Sequence, residues 1–307
     1  MTALSRRTLL VCALATPALA TLARATPACA QCRLGPAAII PLRAIDGFPV
    51  IAATIRGTPV SFLLDTGAQA HLLLPEAVDA LRLTVLPGSV PMVGTGGARD
   101  VPIVMLDDVR LGPVRLDRAL TPVSALPLIP SVSPPVAGLI GAPLLDRFDL
   151  DLDVPAGQLG LYAAGACEGP AFAPPTTTVA LTILADRQAL LPVEIDGVEI
   201  MALLDTGSRA TLLTEDAARR LGLRAPASAN TARGVDGTVL PVGHVRVRSM
   251  RVGDDLRHDV PLSIAPVQLG RADLLLGLDF LRLRRVWISY VTARLVLALP
   301  NPVPSAR

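Results

Sequence analysis

The sequence predicts an all-β protein made of two similar lobes, each containing one short helix, and two observations carry this prediction. The first is composition: 51% of the 307 residues are hydrophobic and only 3% are aromatic, with 29 prolines and 24 glycines. Such a chain favours short aliphatic strands separated by turns. The second is an internal repeat at an offset of 140 residues. The chain is long enough for two units that each bury a core.

The repeat is clearest around two Asp-Thr-Gly motifs, which begin at Asp65 and Asp205. Residues 55–67 align with residues 195–207 without a gap, from Ile-x-Gly at the start to Asp-Thr-Gly at the end. A single Asp before Thr-Gly can simply cap a turn after a buried strand, so one copy alone would say little. Two copies in matching contexts indicate a duplicated functional element.

A short helix is predicted after each motif, over residues 75–81 in the first copy and 215–221 in the second. Pro75 suits the first position of a helix, because the N–H that proline lacks would have no partner there. Thr214 can cap the second helix, and the two acidic residues that follow it complement the helix dipole.

Each copy continues into a glycine-rich turn flanked by alternating apolar residues, the pattern of a β-hairpin. The turn residues are Gly94, Thr95, Gly96 and Gly97 in the first copy and Gly234, Val235, Asp236 and Gly237 in the second. Both copies close with an apolar pair, a glycine and strand-like runs, at residues 139–145 and 275–281. The offset there is 136, so we place four extra residues of the first copy in a loop, the proline-rich segment 127–135.

The repeats define the predicted domain organisation. We expect an export signal at residues 1–30, a first lobe at 31–162, a linker at 163–178, a second lobe at 179–298 and a tail at 299–307. The linker is assigned from its glycines, prolines and three consecutive threonines, a composition that interrupts strands.

The predicted export signal contains Arg6 and Arg7 before an apolar stretch that ends in small residues. It resembles a twin-arginine signal, which would imply bacterial export. The ordinary secretory route, an uncleaved anchor and a lipoprotein signal at Cys29 remain alternatives. The apolar stretch is short and is interrupted by Pro17. We therefore expect a periplasmic or secreted protein whose mature chain has no stable membrane insertion.

The cysteine, histidine and charge contents indicate which disulfide, metal and nucleic-acid functions the sequence supports. Cys12 and Cys29 would leave with the signal, so Cys32 and Cys167 form either a disulfide or two free thiols in an oxidising compartment. The three histidines are scattered, and we expect neither a metal site nor a cofactor. A net charge of +2 without a long basic run argues against nucleic acid as a partner.

The order of these elements resembles that of a known peptidase family. Two apolar residues before Asp-Thr-Gly-Ala/Ser, then a glycine-rich hairpin, then two apolar residues and a glycine, resemble the retropepsin-like aspartic peptidases, and both copies show all three elements. Viral members carry one motif per chain and dimerise, whereas this chain looks like a fused version. The pepsin-like branch also has two lobes, but these are usually longer and more aromatic. The resemblance therefore implies two retropepsin-like β-barrel lobes related by pseudo-twofold symmetry.

The resemblance also implies a mechanism. Asp65 and Asp205 would share a proton and activate water for peptide hydrolysis, without a cofactor. Their support would come from Thr66 and Thr206, which cross-bond the two loops, and from Gly67 and Gly207, which allow tight turns. The glycine-rich hairpins would close as flaps over a peptide or protein substrate.

Two points of this interpretation stay open. Gln69 and Arg209 stand where the family often has a small or acidic polar residue, which affects the expected substrate contacts. We expect a monomer with an intramolecular pseudo-dimer. Pairing of repeats between chains, and a non-catalytic peptide-binding protein that keeps the fold, are the alternatives.

Overall fold

A computed structural model describes residues 35–94, 97–165, 176–225, 230–234 and 237–298 of the chain. Strands account for most of these residues and the helices are short, which confirms the predicted all-β class. Within these ranges, no helix combines the length and the apolar character needed to cross a membrane.

Some of the sequence predictions concern residues outside the described ranges. These are the export signal at 1–30, the tail at 299–307, the cysteines Cys32 and Cys167, and the turn residues Thr95, Gly96, Val235 and Asp236. They stay predictions.

The elements follow the two repeats. The first repeat forms strands β1 (Ala38–Ile45), β2 (Phe48–Ile55), β3 (Thr58–Leu64), β4 (Leu72–Leu73), β5 (Val85–Gly94), β6 (Gly97–Leu106), β7 (Val109–Leu111), β8 (Val114–Arg115), β9 (Ala119–Pro122), β10 (Val136–Ile140), β11 (Phe148–Asp153) and β12 (Gln158–Ala163), with helices α1 (Pro75–Ala80) and α2 (Ala142–Leu145). The second repeat forms β13 (Thr176–Ala180), β14 (Thr182–Ile183), β15 (Ala189–Ile195), β16 (Val198–Leu204), β17 (Leu212–Thr214), β18 (Thr231–Arg233), β19 (Val239–Pro241), β20 (Gly243–Val252), β21 (Asp255–Ala265), β22 (Leu274–Leu276), β23 (Arg285–Ser289) and β24 (Arg294–Ala298), with helices α3 (Glu215–Arg220) and α4 (Leu278–Leu281).

Two-residue turns connect the strands at the start of each repeat. Arg56-Gly57 joins β2 to β3, and Asp196-Gly197 joins β15 to β16. All four residues have positive φ angles, between 50° and 88°. Positive φ at both central residues is the type I′ geometry that matches the twist of paired strands. The Ile-x-Gly that opens each aligned segment is therefore the turn before an inner strand.

The inner strands β3 and β16 each pair in parallel with the closing strand of their own repeat, β10 and β22. The backbone N–H of Asp65 continues this pairing by donating to the carbonyl of Ile140 at 3.0 Å. The N–H of Asp205 donates in the same way to Leu276 at 3.1 Å. Each Asp-Thr-Gly motif thus begins at a residue fixed between two strands.

The repeats share one sheet and one core. In the second repeat, β15, β16, β22, β17, β21 and β20 close into a six-stranded barrel. A separate sheet in the order β13-β24-β23-β11-β12-β1 joins the repeats, and in it Leu150 of β11 lies opposite Ile288 of β23. Both side chains belong to a buried apolar cluster with members from each repeat. The two lobes are therefore packed against each other as well as covalently linked.

The linker prediction is wrong at its C-terminal end. Thr176, Thr177 and Thr178 lie in β13, which pairs with β24. The backbone N–H of Asp254 donates to the hydroxyl of Thr177 at 2.8 Å, and that hydroxyl donates to the Asp254 carboxylate at 3.0 Å. Branching at Cβ favours extended backbone, so consecutive threonines support a strand where a partner strand is available.

The helices agree in part with the prediction. Helix α1 begins at Pro75 and α3 at Glu215, and the Thr214 hydroxyl accepts a hydrogen bond from the Ala217 N–H at 3.1 Å, as expected for a cap. Each repeat also has a second helix, α2 or α4, where strand-like runs were predicted after the closing glycine. For apolar runs this short, periodicity does not separate a buried strand from a buried helical turn.

A buried ion pair holds the chain after α4 against β21. Arg284 is only 1% exposed, and its Nε donates to Asp255 Oδ2 at 2.7 Å. Its guanidinium also stacks on the Phe280 ring, 3.7 Å from the centroid. Burial lowers the pKa of Arg284 to about 10, although the negative charge of Asp255 opposes this shift. Removing the carboxylate would leave a buried cation without its counter-charge.

We expect Asp255→Asn to lower the free energy of unfolding by about 3–5 kcal/mol, because Arg284 stays buried and loses its partner charge. Urea unfolding followed by the fluorescence of Trp287, the single buried tryptophan of the chain, measures the change. The control Asp259→Asn removes an exposed pair with Arg246 and should leave stability close to wild type. Equal effects of the two substitutions would contradict the role of burial.

Candidate active site

The two Asp-Thr-Gly loops meet face to face. A methyl group added to Gly67 would lie 2.7 Å from Cγ of Asp205, and one added to Gly207 would lie 2.4 Å from Cγ of Asp65. Each glycine therefore packs directly against the carboxyl group of the opposite loop. Neither glycine has a positive φ angle, so the close approach of the opposite carboxyl group, rather than a left-handed turn, excludes a side chain here.

The threonines cross-link the loops through four buried hydrogen bonds. The Thr66 hydroxyl donates to the Leu204 carbonyl at 2.8 Å and accepts from the Thr206 N–H at 3.0 Å. The Thr206 hydroxyl donates to the Leu64 carbonyl at 2.7 Å and accepts from the Thr66 N–H at 3.0 Å. Both threonines are fully buried, and the reciprocal pattern fixes the separation of the loops.

Backbone N–H groups hold one oxygen of each carboxyl group. Asp65 Oδ1 accepts from Gly67 at 2.9 Å and from Ala68 at 3.0 Å. Asp205 Oδ1 accepts from Gly207 at 2.8 Å and from Ser208 at 3.1 Å. The second oxygen of each group is left to interact with the partner carboxyl group and with a bound molecule.

The environment raises the pKa of both carboxyl groups. For Asp65 the main cause is burial, and the negative charge of Asp205 raises the pKa further. Burial is also the main cause for Asp205, whose backbone hydrogen bonds oppose the shift. Two adjacent buried carboxylates repel each other, so the first proton binds to the pair more readily than to an isolated Asp.

A family model described as aspartyl protease matches residues 51–144 and 191–280. The chain belongs to the aspartyl protease family. Each matched segment contains one Asp-Thr-Gly motif, one glycine-rich hairpin and one closing apolar pair with glycine, so the family pattern occurs twice in this chain.

Relatives of known sequence or structure are distant. A stretch of 110 residues is 30% identical to DNA damage-inducible protein 1 of Neurospora crassa, covering 35% of this chain and 24% of that protein, so the match spans about a quarter of the relative's length. The aspartic proteinase of Irpex lacteus is 14% identical over 87% of this chain and 98% of its own, with a TM-score of 0.52. A retropepsin-like aspartic protease of Rickettsia conorii is 19% identical over 41% of this chain and 100% of its own, with a TM-score of 0.33.

Behind each aspartate of this aspartyl protease fold, one side chain accepts a hydrogen bond from the N–H of the closing glycine. The two repeats use different residues for this contact. In the second repeat, Thr211 Oγ1 accepts from the Gly277 N–H at 3.3 Å and donates to Asp279 at 2.7 Å. In the first repeat, His71 Nδ1 accepts from the Gly141 N–H at 3.2 Å. His71 and Thr211 are equivalent at the offset of 140, and the repeat alignment is the signal that identifies them.

His71 is buried and carries no charge at neutral pH. Burial lowers its pKa to about 4. Protonation of Nδ1 would remove the acceptor that holds Gly141. A methyl group added to Gly141 would lie 2.5 Å from the carbonyl oxygen of Ala70, which follows the first Asp-Thr-Gly motif. The first loop is therefore sensitive to acid through a group that the second loop lacks.

Polar contacts between the lobes flank the aspartates. The Gln188 side chain donates to the carbonyl of Gly67 at 3.0 Å, and the Gln69 side chain donates to Asp186 at 2.8 Å. Arg209 lies over the ring of Phe48, 5.4 Å from its centroid. Gln69 and Arg209, the two departures from the family pattern, thus contact the opposite lobe.

The glycine-rich hairpins differ in length. Strands β5 and β6 pair as far as Gly94 opposite Gly97, whereas β18 and β19 contribute three residues each. In the second hairpin, the Gly237 N–H donates to the carbonyl of Gly234 at 2.9 Å. Their role as flaps stays a prediction.

Replacing Thr66 by Val should lower the free energy of unfolding by about 2–6 kcal/mol, because the Thr206 N–H and the Leu204 carbonyl each lose a buried partner. Thr66→Ser keeps the hydroxyl and should retain most of the stability. Urea unfolding of the three proteins measures the difference. If valine and serine destabilise equally, the packing around residue 66 is responsible rather than the hydrogen bonds of the cross-link.

Stability should decrease between pH 6.5 and pH 4 through His71, because the unfolded chain binds a proton in this range and the folded protein does not. The contribution of His71 is fully present above pH 6.5, and about 3 kcal/mol is lost by pH 4. His71→Thr, which installs the residue of the second repeat, should remove this part of the pH dependence. Urea unfolding at pH 7.5 and pH 4 measures it, and the exposed His258→Thr is the control. An unchanged pH profile in His71→Thr would contradict the assignment.

Proposed function

We propose that this protein is an aspartic endopeptidase that hydrolyses peptide bonds with a water activated by Asp65 and Asp205. The observation that carries the proposal is the reciprocal packing of each carboxyl group against the glycine of the opposite loop. This contact brings two acidic groups together in a buried setting, where a single shared proton is more favourable than two charges.

The geometry supports separate roles for the two oxygens of each aspartate. The inner oxygens accept two backbone hydrogen bonds each and are held in place. The outer oxygens can then contact a water and a peptide carbonyl. The ionised carboxylate takes a proton from the water, and the protonated partner donates to the carbonyl oxygen. The water oxygen bonds to the carbonyl carbon and gives a gem-diol. The proton taken from the water then passes to the leaving nitrogen as the C–N bond breaks, and the partner carboxylate takes a proton back from a hydroxyl of the gem-diol.

The raised pKa of both carboxyl groups shifts the working range of the pair upward. The reaction needs the state with one proton on the pair. This state should persist to a pH above the usual range of an aspartic acid, and activity should fall once the last proton leaves.

The substrate would be an extended segment of a peptide or protein. Such a segment can add as a strand between the hairpins and the catalytic loops, with backbone hydrogen bonds on both sides. Both halves of the site belong to one chain and are linked by the threonine hydrogen bonds. We therefore propose a monomeric enzyme.

We further propose that the protein is exported from the cytoplasm and contains a disulfide. The twin-arginine-like signal at residues 1–30 would deliver the enzyme to the periplasm or the exterior of a bacterium. In that oxidising compartment, Cys32 and Cys167 could form a disulfide. Intact mass with and without reductant distinguishes the bonded from the free thiols.

Asp65→Asn and Asp205→Asn should each reduce peptide cleavage by at least about 100-fold, because either substitution removes an acid or a base from the reaction. Cleavage of a diverse peptide library, read by mass spectrometry between pH 3 and pH 8, is the measurement. Asp108→Asn changes a partly exposed carboxylate outside the catalytic loops and serves as the control.

Full activity of either catalytic variant would defeat the shared-proton mechanism. If the wild-type protein binds library peptides but cuts none at any pH, the protein is a peptide-binding member of the family instead.

A further inference from the structure

A small cavity lies between the two glycine-rich hairpins. Its volume is about 200 Å³, and its lining comes from both repeats: Arg99, Ala125, Leu126, Pro127, Arg233 and Gly237. Pockets for separate small-molecule ligands begin at about 300 Å³, so this volume fits one side chain of a bound peptide better.

Arg99 lies on the face of the first hairpin that is directed toward the lobe. It is the cross-strand partner of Met92, and directly opposite residues share a face of the sheet. Met92 packs against the apolar cluster that also contacts Leu126. The adjacent Asp100 alternates to the other face of the strand. Arg99 also donates to the hydroxyl of Ser124, which is a neutral partner.

Arg233 brings a second positive charge from the other repeat. It is the last residue of β18 and pairs with Val239. In the part of the chain that the structure describes, neither Arg99 nor Arg233 forms an ion pair with a carboxylate. The remaining lining residues are apolar or glycine. Among the described residues, the cavity therefore combines two guanidinium groups that have no carboxylate partner with an apolar wall.

We propose that this cavity binds an acidic side chain of the substrate, Asp or Glu, through Arg99 and Arg233. This inference rests on the proposed peptidase function and names its substrate preference. A guanidinium group forms paired, charge-assisted hydrogen bonds with a carboxylate, and the apolar wall accommodates the methylene groups of the side chain.

The preference applies to one side of the cleaved bond only. At the offset of 140, the counterpart of Arg99 is Val239 and the counterpart of Arg233 is Val93, so the repeat-related positions are apolar. Residues 125–127, which also line the cavity, come from the first repeat. The two halves of the cleft thus present different chemistry to the two ends of a peptide, and the substrate is bound in one direction.

The test separates binding from cleavage. Peptides that carry Glu, Gln or Lys at one position at a time are titrated against the Asp205→Asn variant by fluorescence anisotropy, and the same peptides are incubated with wild type. We expect Glu at one position to bind about 5- to 10-fold more tightly than Gln, with Lys weakest, and the preference to shrink at high salt.

The Arg99→Gln and Arg233→Gln substitutions, each added to Asp205→Asn, should remove most of the difference between Glu and Gln. Arg99→Lys should keep part of it, because one cation remains. Arg110→Gln, on strand β7 and outside the cavity, should keep all of it. Thermal unfolding of each variant checks that the fold is intact, and the two arginines, on separate hairpins, provide independent tests.

The results of this test separate failure of the cavity assignment from failure of the peptidase proposal. Cleavage by wild type without any preference for Glu overturns the inference and leaves the function standing. A Glu preference in binding that depends on both arginines, with no peptide ever cut, overturns the function and supports the cavity assignment. A Glu preference that survives both Arg→Gln substitutions also overturns the inference.

Discussion

The structure depends on holding two like-charged carboxyl groups next to each other in a buried place. Isolated, this arrangement is unfavourable, because burial penalises each charge and the charges repel. The protein offsets the cost with two backbone N–H donors to each carboxyl group and with a reciprocal set of threonine hydrogen bonds between the loops. In the proposed mechanism, one shared proton would reduce the remaining repulsion. The surrounding fold serves to keep these few groups in register.

The strands on either side of each aspartate fix its position. Each aspartate follows an inner strand and is anchored by its own N–H to the closing strand of its repeat. The glycines after the threonines allow the loops to approach until each carboxyl group touches the opposite backbone. Any side chain at Gly67 or Gly207 would overlap the opposite carboxyl group. The contact that brings the two acids together therefore also explains why the third residue of each motif is glycine.

The duplicated motif made the fold and the candidate site largely predictable from sequence. Repeat alignment placed Asp65 and Asp205 in equivalent positions. Pro75, at a first helical position, located α1, and the capping residue Thr214 located α3. The misses have physical reasons. Thr176–Thr178 suit a strand only because β24 lies beside them, which the local sequence does not show. The structural roles of His71 and Thr211 depend on a backbone N–H contributed from about 70 residues further along the chain. Arg99 and Arg233 are far apart in sequence and meet only through the folded hairpins.

The sheet shared by both repeats has a consequence for how the aspartate pair stays assembled. Three strands of the second repeat and three strands of the first lie side by side in it, and they meet where β11 pairs with β23. A centre built from two separate subunits disperses when the protein is diluted, whereas a tethered partner remains at a high effective concentration. Here even a chain cut once between residues 165 and 176 would keep its halves together through this sheet. In the proposed monomer, assembly of the aspartate pair would not depend on protein concentration, and each half would be free to change without imposing the same change on the other.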